Sequence, residues 1–102
     1  MKKNNLNKFV ILTIFLLVSA CSSEPPRELS SGKQIYEARC SACHGSNLEG
    51  RVGPALDAAS PAALMPDSYW IQTITKGKGS MPAQRLTDQE VELVIEYIKS
   101  EY

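Results

Sequence analysis

The chain has 102 residues, 11 basic and 11 acidic side chains, a single histidine, three cysteines and an apolar fraction of 43%. That length supports one domain rather than several. A formal charge of zero with no basic stripe excludes a nucleic-acid-binding surface.

The opening segment differs in chemistry from everything after it. Lys2, Lys3 and Lys8 make a basic start, Phe9 to Val18 is a run of 10 almost wholly apolar residues, and Ser19-Ala20 are small. This is the order of a secretory leader: positive region, short apolar core, small residues at the cleavage site. The run is about half of the roughly 20 residues that span a bilayer, which argues against the alternative of an uncleaved anchor. Val18-Ser19-Ala20-Cys21 resembles the lipobox of bacterial lipoproteins, in which Cys21 would be diacylated and become the first mature residue. Two acyl chains anchor stably where one is marginal. The alternative for Cys21 is a leftover thiol that pairs between molecules. Ser22-Ser23-Glu24-Pro25-Pro26 reads as a polar, proline-bearing tether. The expected division is therefore 1–20 signal peptide, 21–29 lipidated cysteine and tether, and 30–102 folded domain. Without its leader the chain keeps 82 residues, with 8 basic and 11 acidic side chains and a formal charge of −3. A domain this small has a thin apolar core and needs a staple such as a metal or a disulfide.

From Leu29 onward the pattern is helices joined by loops. A first helix is predicted from Ser30 or Ser31 into Cys40, with Gly32, Tyr36 and Cys40 at four-residue steps on one face. A glycine inside a helix costs about 1 kcal/mol relative to alanine. Gly32 therefore marks either the close approach of another helix or a place in the fraying first turn.

Cys40-Ser41-Ala42-Cys43-His44 follows. Two thiols three positions apart with an imidazole directly after the second form the attachment sequence of a c-type haem. Thiols so spaced lie on one side of a helical turn, where both reach the vinyl groups on one porphyrin edge. The next residue then offers a ring nitrogen to the iron. A zinc site needs two further Cys or His ligands, and only Cys21 remains. A thioredoxin-like pair belongs in a βαβ pattern, which is absent. A structural disulfide leaves His44 unexplained. One covalently attached haem c is the expected cofactor, its flat apolar surface supplying much of the core.

Gly45 to Pro66 is a predicted loop rich in Gly, Ala, Ser and Pro, and no repeat or low-complexity array is visible. Asp67-Ser68 is predicted to cap a further helix carrying Trp70, Ile71 and Ile74, which Gly77 ends. Trp70 is read as packing in the core or at a haem edge, a specific part in electron transfer being the lesser alternative. Lys76-Gly77-Lys78-Gly79-Ser80-Met81-Pro82 is a flexible approach to a thioether. Thr87-Asp88-Gln89-Glu90 then matches a capping box. Val91, Val94, Ile95 and Ile98 repeat as one apolar stripe bordered by Tyr97. Asp88, Glu90, Glu92 and Glu96 take the remaining face or the first turn, where the early ones suit the helix dipole. With no alternating strand pattern, the expected fold class is all-α.

In this order and with these motifs, residues from about Leu29 to Tyr102 resemble a small class I monohaem cytochrome c of bacterial type. The resemblance implies three to four helices wrapped around the covalent haem. It implies that Cys40 and Cys43 carry the haem, that His44 is the proximal ligand and that Met81 is the distal one. Gly53-Pro54-Ala55-Leu56 resembles the family's loop beneath the histidine, where the Pro54 carbonyl would accept the second imidazole N–H, orienting the ring and raising its basicity. Gly32, Tyr36 and Tyr97 correspond to the family's crossing of first and last helices. Met65-Pro66 is a rival Met-Pro pair, 21 residues after His44 against 37 for Met81. Met81 alone falls between the middle and last helices as the family requires, so Met65 is expected as wall packing. The remaining option is a sixth position left open or water-bound.

Methionine in place of a second histidine raises the reduction potential, and two filled axial sites leave the iron only electron exchange. The expected function is a membrane-tethered, non-enzymatic, monomeric single-electron carrier. It would pass electrons between respiratory partners outside the cytoplasm, in a periplasm or on the outer face of the cell membrane. Docking to a redox donor and a terminal acceptor or oxidase would bury less than about 1,200 Å². Arg51, Lys76, Lys78 and Arg85 either ring the haem edge and steer acidic partners or are ordinary surface charges. The alternatives are a haem enzyme or gas sensor, for which no second histidine is present as a distal acid or base, and a fixed subunit of an oxidase or reductase.

Overall fold

Ser31 starts the first helix by the mechanism its side chain suits, its hydroxyl accepting the Gln34 N–H at 3.2 Å. Helix α1 is Gly32–Arg39, and α2, Ser41–His44, follows after a single residue. The helix expected to run into the cysteine motif thus ends at Cys40, whose φ of −119° departs from the helical value while its ψ of −38° stays within it. Ser41 supplies the physical reason. Its hydroxyl donates to the Glu37 carbonyl at 2.8 Å, a back-bond to the preceding turn that bends helices. The amides of Cys43 and His44 both donate to the Cys40 carbonyl, at 3.2 and 2.9 Å, so one tight turn still spans the motif.

The computed structural model describes Leu29 and residues 31–102; the expected leader, Cys21 and the rest of the tether lie outside the described residues. The predicted loop from Gly45 to Pro66 contains one 3-10 turn, Pro61–Leu64, which Pro61 opens with its preset φ. Helix α3 is Asp67–Lys76. Asp67 does not cap it as expected: the N-cap is Pro66, and Asp67 lies inside the first turn, where its charge still suits the dipole. Helix α4 is Asp88–Ser100, and its capping box is complete. Thr87 accepts the Glu90 N–H at 3.2 Å, and the Glu90 carboxylate accepts the Thr87 N–H at 2.8 Å. Among the described residues the sole strand-like feature is an antiparallel bridge between Lys78 and Met81. The fold is all-α.

Helix α4 is the platform. Helix α1 crosses it closely, and α3 packs on it as well. Gly32 explains how near α1 comes: a Cβ there would run into the Leu93 backbone oxygen and lie 2.6 Å from the Tyr97 Cβ. Close approach, not end fraying, therefore accounts for this glycine. Tyr36 and Tyr97 meet at the crossing with ring centroids 5.7 Å apart and tilted by 51°. Ile35, Tyr36, Val94 and Ile98 are fully buried there, and Trp70, Ile74, Val91, Ile95, Leu48 and Leu56 complete the core. Ile71 is exposed, because Trp70 and Ile74, four residues apart, are the positions of α3 that face α4. A Lys99–Asp67 ion pair ties α4 to the start of α3. No helix among the described residues is long and apolar enough to cross a membrane.

Candidate functional site

Cys40 and Cys43 are both free thiols, the first half-buried and the second exposed. Burial, reinforced by the neighbouring Cys43 sulfur, pushes the Cys40 thiol up to about 11. The attacking thiol of a thioredoxin-like couple has a lowered pKa, and the Cys40 thiol is shifted the opposite way. Among the described residues no group of three or more His, Cys, Asp or Glu side chains is arranged to hold a metal ion, so they supply no zinc tetrad.

His44 ends α2 with its ring buried, 7% exposed. Its Nδ1 lies 2.7 Å from the Pro54 carbonyl oxygen. A carbonyl only accepts, so Nδ1 is the donor, and in the neutral ring this leaves the lone pair on Nε2. The chain builds this pairing by folding the segment after the motif back onto the motif. The Gly50 N–H donates to the His44 carbonyl at 2.7 Å, and the Gly53 N–H donates to the Cys43 carbonyl at 2.8 Å. These carbonyls are among those the end of a helix leaves unpaired, and the returning loop satisfies them. Leu56 N–H to Leu48 oxygen, at 2.9 Å, closes the loop at its base. A Cβ on Gly53 would lie 2.8 Å from His44 Cε1, so the backbone of the loop itself forms the wall against the imidazole.

Tyr36 contributes a tie that its place on the apolar face concealed. Its buried hydroxyl donates to the Gly45 carbonyl at 2.7 Å, fixing the residue after His44 to α1. Burial pushes this phenol up to about 12. A tyrosine rather than a phenylalanine at a core position was the available signal.

Met81 belongs to a separate unit, the hairpin between α3 and α4. Lys78 and Met81 exchange two backbone bonds, at 3.1 and 3.0 Å, and the Gln84 N–H donates to the Ile74 carbonyl at 2.8 Å. The Lys78 ammonium donates to the Tyr69 hydroxyl at 2.8 Å and stands 4.7 Å from the centre of that ring. This bond holds the Tyr69 phenol below its ordinary pKa. Met65 is 38% exposed on the protein surface at the end of the 3-10 turn, and Leu64 before it is more exposed still. Arg51, Lys76, Lys78 and Arg85 are all exposed.

The structure thus joins Cys40, Cys43, His44 and Pro54 in one hydrogen-bonded unit and puts Met81 in a second, while Cys21 lies outside the described residues. The donor set fits a covalent haem: two unpaired thiols across one turn, and an imidazole turned so that its Nε2 lone pair is available. Trp70 Nε1 and Ser60 Oγ are buried without a hydrogen-bond partner among the described residues, a need that a non-protein acceptor would meet.

A family model described as "Cytochrome C oxidase, cbb3-type, subunit III" matches residues 27–98. The chain is 28% identical to cytochrome c-551 of Bacillus subtilis (strain 168) over 110 residues, covering 94% of this chain and 96% of that protein. It is 38% identical to cytochrome c6 of Gracilaria tenuistipitata var. liui over 77 residues, 70% of each chain. It is 31% identical to the Cbb3-type cytochrome c oxidase subunit CcoP of Azospirillum brasilense over 77 residues, which are 66% of this chain and 26% of that one.

Proposed function

The chain belongs to the cytochrome c family, whose cofactor is covalently attached haem c, and on that premise we propose that it is a membrane-tethered carrier of single electrons outside the cytoplasm. The observation that carries this reading is the buried His44 ring, held by the Pro54 carbonyl at 2.7 Å beside two free thiols. Bound haem c supplies a one-electron ferric–ferrous couple.

The chain's own residues divide the work of holding it. The Cys40 and Cys43 sulfurs would carry the haem as thioethers. His44 would supply Nε2 as one iron ligand, and the Pro54 carbonyl holds the ring from rotating and would strengthen it as a ligand. Met81 would supply its thioether as the other ligand, which would raise the potential relative to a second imidazole. With both residues in place the protein leaves no open position for a substrate, so electron exchange remains. Arg51, Lys76, Lys78 and Arg85 are exposed and suit brief docking with acidic redox partners, a donor and a terminal acceptor. Residues 1–20 serve as the leader and Cys21 carries the lipid, followed by a tether to residue 29 and a monomeric domain from residue 30.

The test is an optical redox titration of the mature protein with carbon monoxide added to the reduced form. A carrier gives one one-electron wave and takes up no carbon monoxide. Ready uptake contradicts the carrier and favours the enzyme or sensor reading. Cys21→Ser should release the protein from the membrane fraction, and retention there contradicts the lipid anchor.

A second reading, a cytochrome domain fixed within a larger oxidase, is favoured by the description of the matching family model and by the CcoP relative. Detergent extraction separates the two: copurification with a large complex supports the fixed subunit, and a free small cytochrome supports the carrier.

A further inference from the structure

We propose that Tyr69 and Lys78 form a clip that positions Met81, a role resting on the reading of Met81 as the distal ligand. The hairpin carrying Met81 is poorly held by its own backbone. It consists of one isolated bridge, Lys78 with Met81, around Gly79-Ser80. A lone two-stranded contact of this kind is marginal in water. The segment is rich in glycine, and Gly79, at φ +58°, has no heavy atom near the place a Cβ would take.

Three features tie this hairpin to α3. Gly77 turns the chain at φ +78°, and a Cβ there would lie 2.6 Å from the Met81 carbonyl oxygen, so the turn presses directly on the Met81 backbone. Gln84 N–H to Ile74 oxygen, at 2.8 Å, holds the exit. The third is the clip. Among the described residues it is the only side-chain hydrogen bond between hairpin and helix, and Lys78 is the very residue paired with Met81 through both backbone bonds. Drawing the Lys78 side chain onto Tyr69, in the first turn of α3, therefore sets where its bridge partner sits. Lys78 uses two interactions at once, a donated bond at 2.8 Å and a cation over the ring at 4.7 Å. Lys76 lines the same shallow groove with Tyr69, Gln72, Thr73 and Gly77, yet it makes neither contact and provides a matched control.

Both interactions are exposed to solvent, so the expected effect is a shift in how often the distal residue leaves its place rather than loss of the fold. The experiment measures imidazole entry into the ferric haem-loaded protein, together with the intensity of the sulfur-to-iron charge-transfer band. Tyr69→Phe, which deletes the bond and keeps the ring, should speed entry about threefold, and Lys78→Ala, which deletes both contacts, about fivefold. The double variant should be no faster than Lys78→Ala alone, because the two residues act as one device. Lys76→Ala should match the parent. Unchanged entry in Tyr69→Phe and Lys78→Ala, or a mere drop in unfolding temperature without faster entry, overturns the clip, provided Met81→Ala opens the iron to imidazole. If Met81→Ala itself leaves entry unchanged, Met81 is not the distal ligand and the clip falls with that reading.

Discussion

Around His44 the chain closes on itself within ten residues, whereas around Met81 it relies on contacts to a neighbouring helix. On the histidine side the Pro54 carbonyl, the Gly50 and Gly53 amides and the Tyr36 hydroxyl converge on the motif and on Gly45, and the ring is buried. On the methionine side a four-residue hairpin is partly exposed and is steadied by one bridge, the tight turn at Gly77, one backbone bond from Gln84 to Ile74 and one exposed lysine–tyrosine pair. Backbone bonds between nearby residues cost little loop-closure entropy and are shielded by burial. Exposed side-chain ties are weaker and easily opened. The molecule thus has a fixed His44 side and a yielding Met81 side, and on the proposed ligation perturbations should reach Met81 first.

The strongest way to break this contrast is to remove its covalent base. Cys43→Ala should abolish most of the pigment that stays on the polypeptide through denaturing electrophoresis, read by haem staining. Retention of full stain would mean that the motif is not the attachment site.

Gly32→Val attacks the support that both walls share. The new side chain meets the Leu93 backbone oxygen and the Tyr97 Cβ, and forcing it in should cost about 3 kcal/mol, measured by denaturant unfolding. Because α4 is the common platform, the His44 side and the Met81 side should weaken together. An unchanged midpoint would contradict the close helix crossing.

Tyr36→Phe acts on the proximal wall alone and is expected to cost about 1–2 kcal/mol, since the Gly45 carbonyl loses a buried donor. It has a pH signature with a definite sign. The phenol is raised in the folded state from 10.0 to about 12, so the folded protein holds this proton more tightly than the unfolded chain. The associated stability is complete below about pH 10 and is lost as pH rises toward about 12. Tyr36→Phe should flatten the fall in stability across that window. A variant that keeps the parent's alkaline slope would show that this hydroxyl is not buried in its hydrogen bond.

Legibility in the sequence follows the same division. The Cys40–His44 motif, the Thr87/Glu90 capping box and the Val91–Ile98 stripe are written within a few residues each, so spacing alone exposes them. Gly32 announces its helix crossing through the oddity of a glycine in a helix. Pro54 was visible only through a family resemblance, because no local rule says which carbonyl returns to His44 ten residues earlier. The break at Cys40 depends on a hydroxyl choosing the Glu37 carbonyl, and Pro66 displaced Asp67 from the cap, both decided by competing local geometries. The Tyr69–Lys78 pair arises only once the loops have a shape.

The most direct test compares Met81→Ala with Met65→Ala in the haem-loaded protein, reading the reduction potential and carbon monoxide uptake of each. An iron held between His44 and Met81 predicts that Met81→Ala lowers the potential and opens a site for carbon monoxide, while Met65→Ala leaves both at parent values. The reverse pattern, or a Met81→Ala protein with an unaltered potential and no uptake, would contradict it.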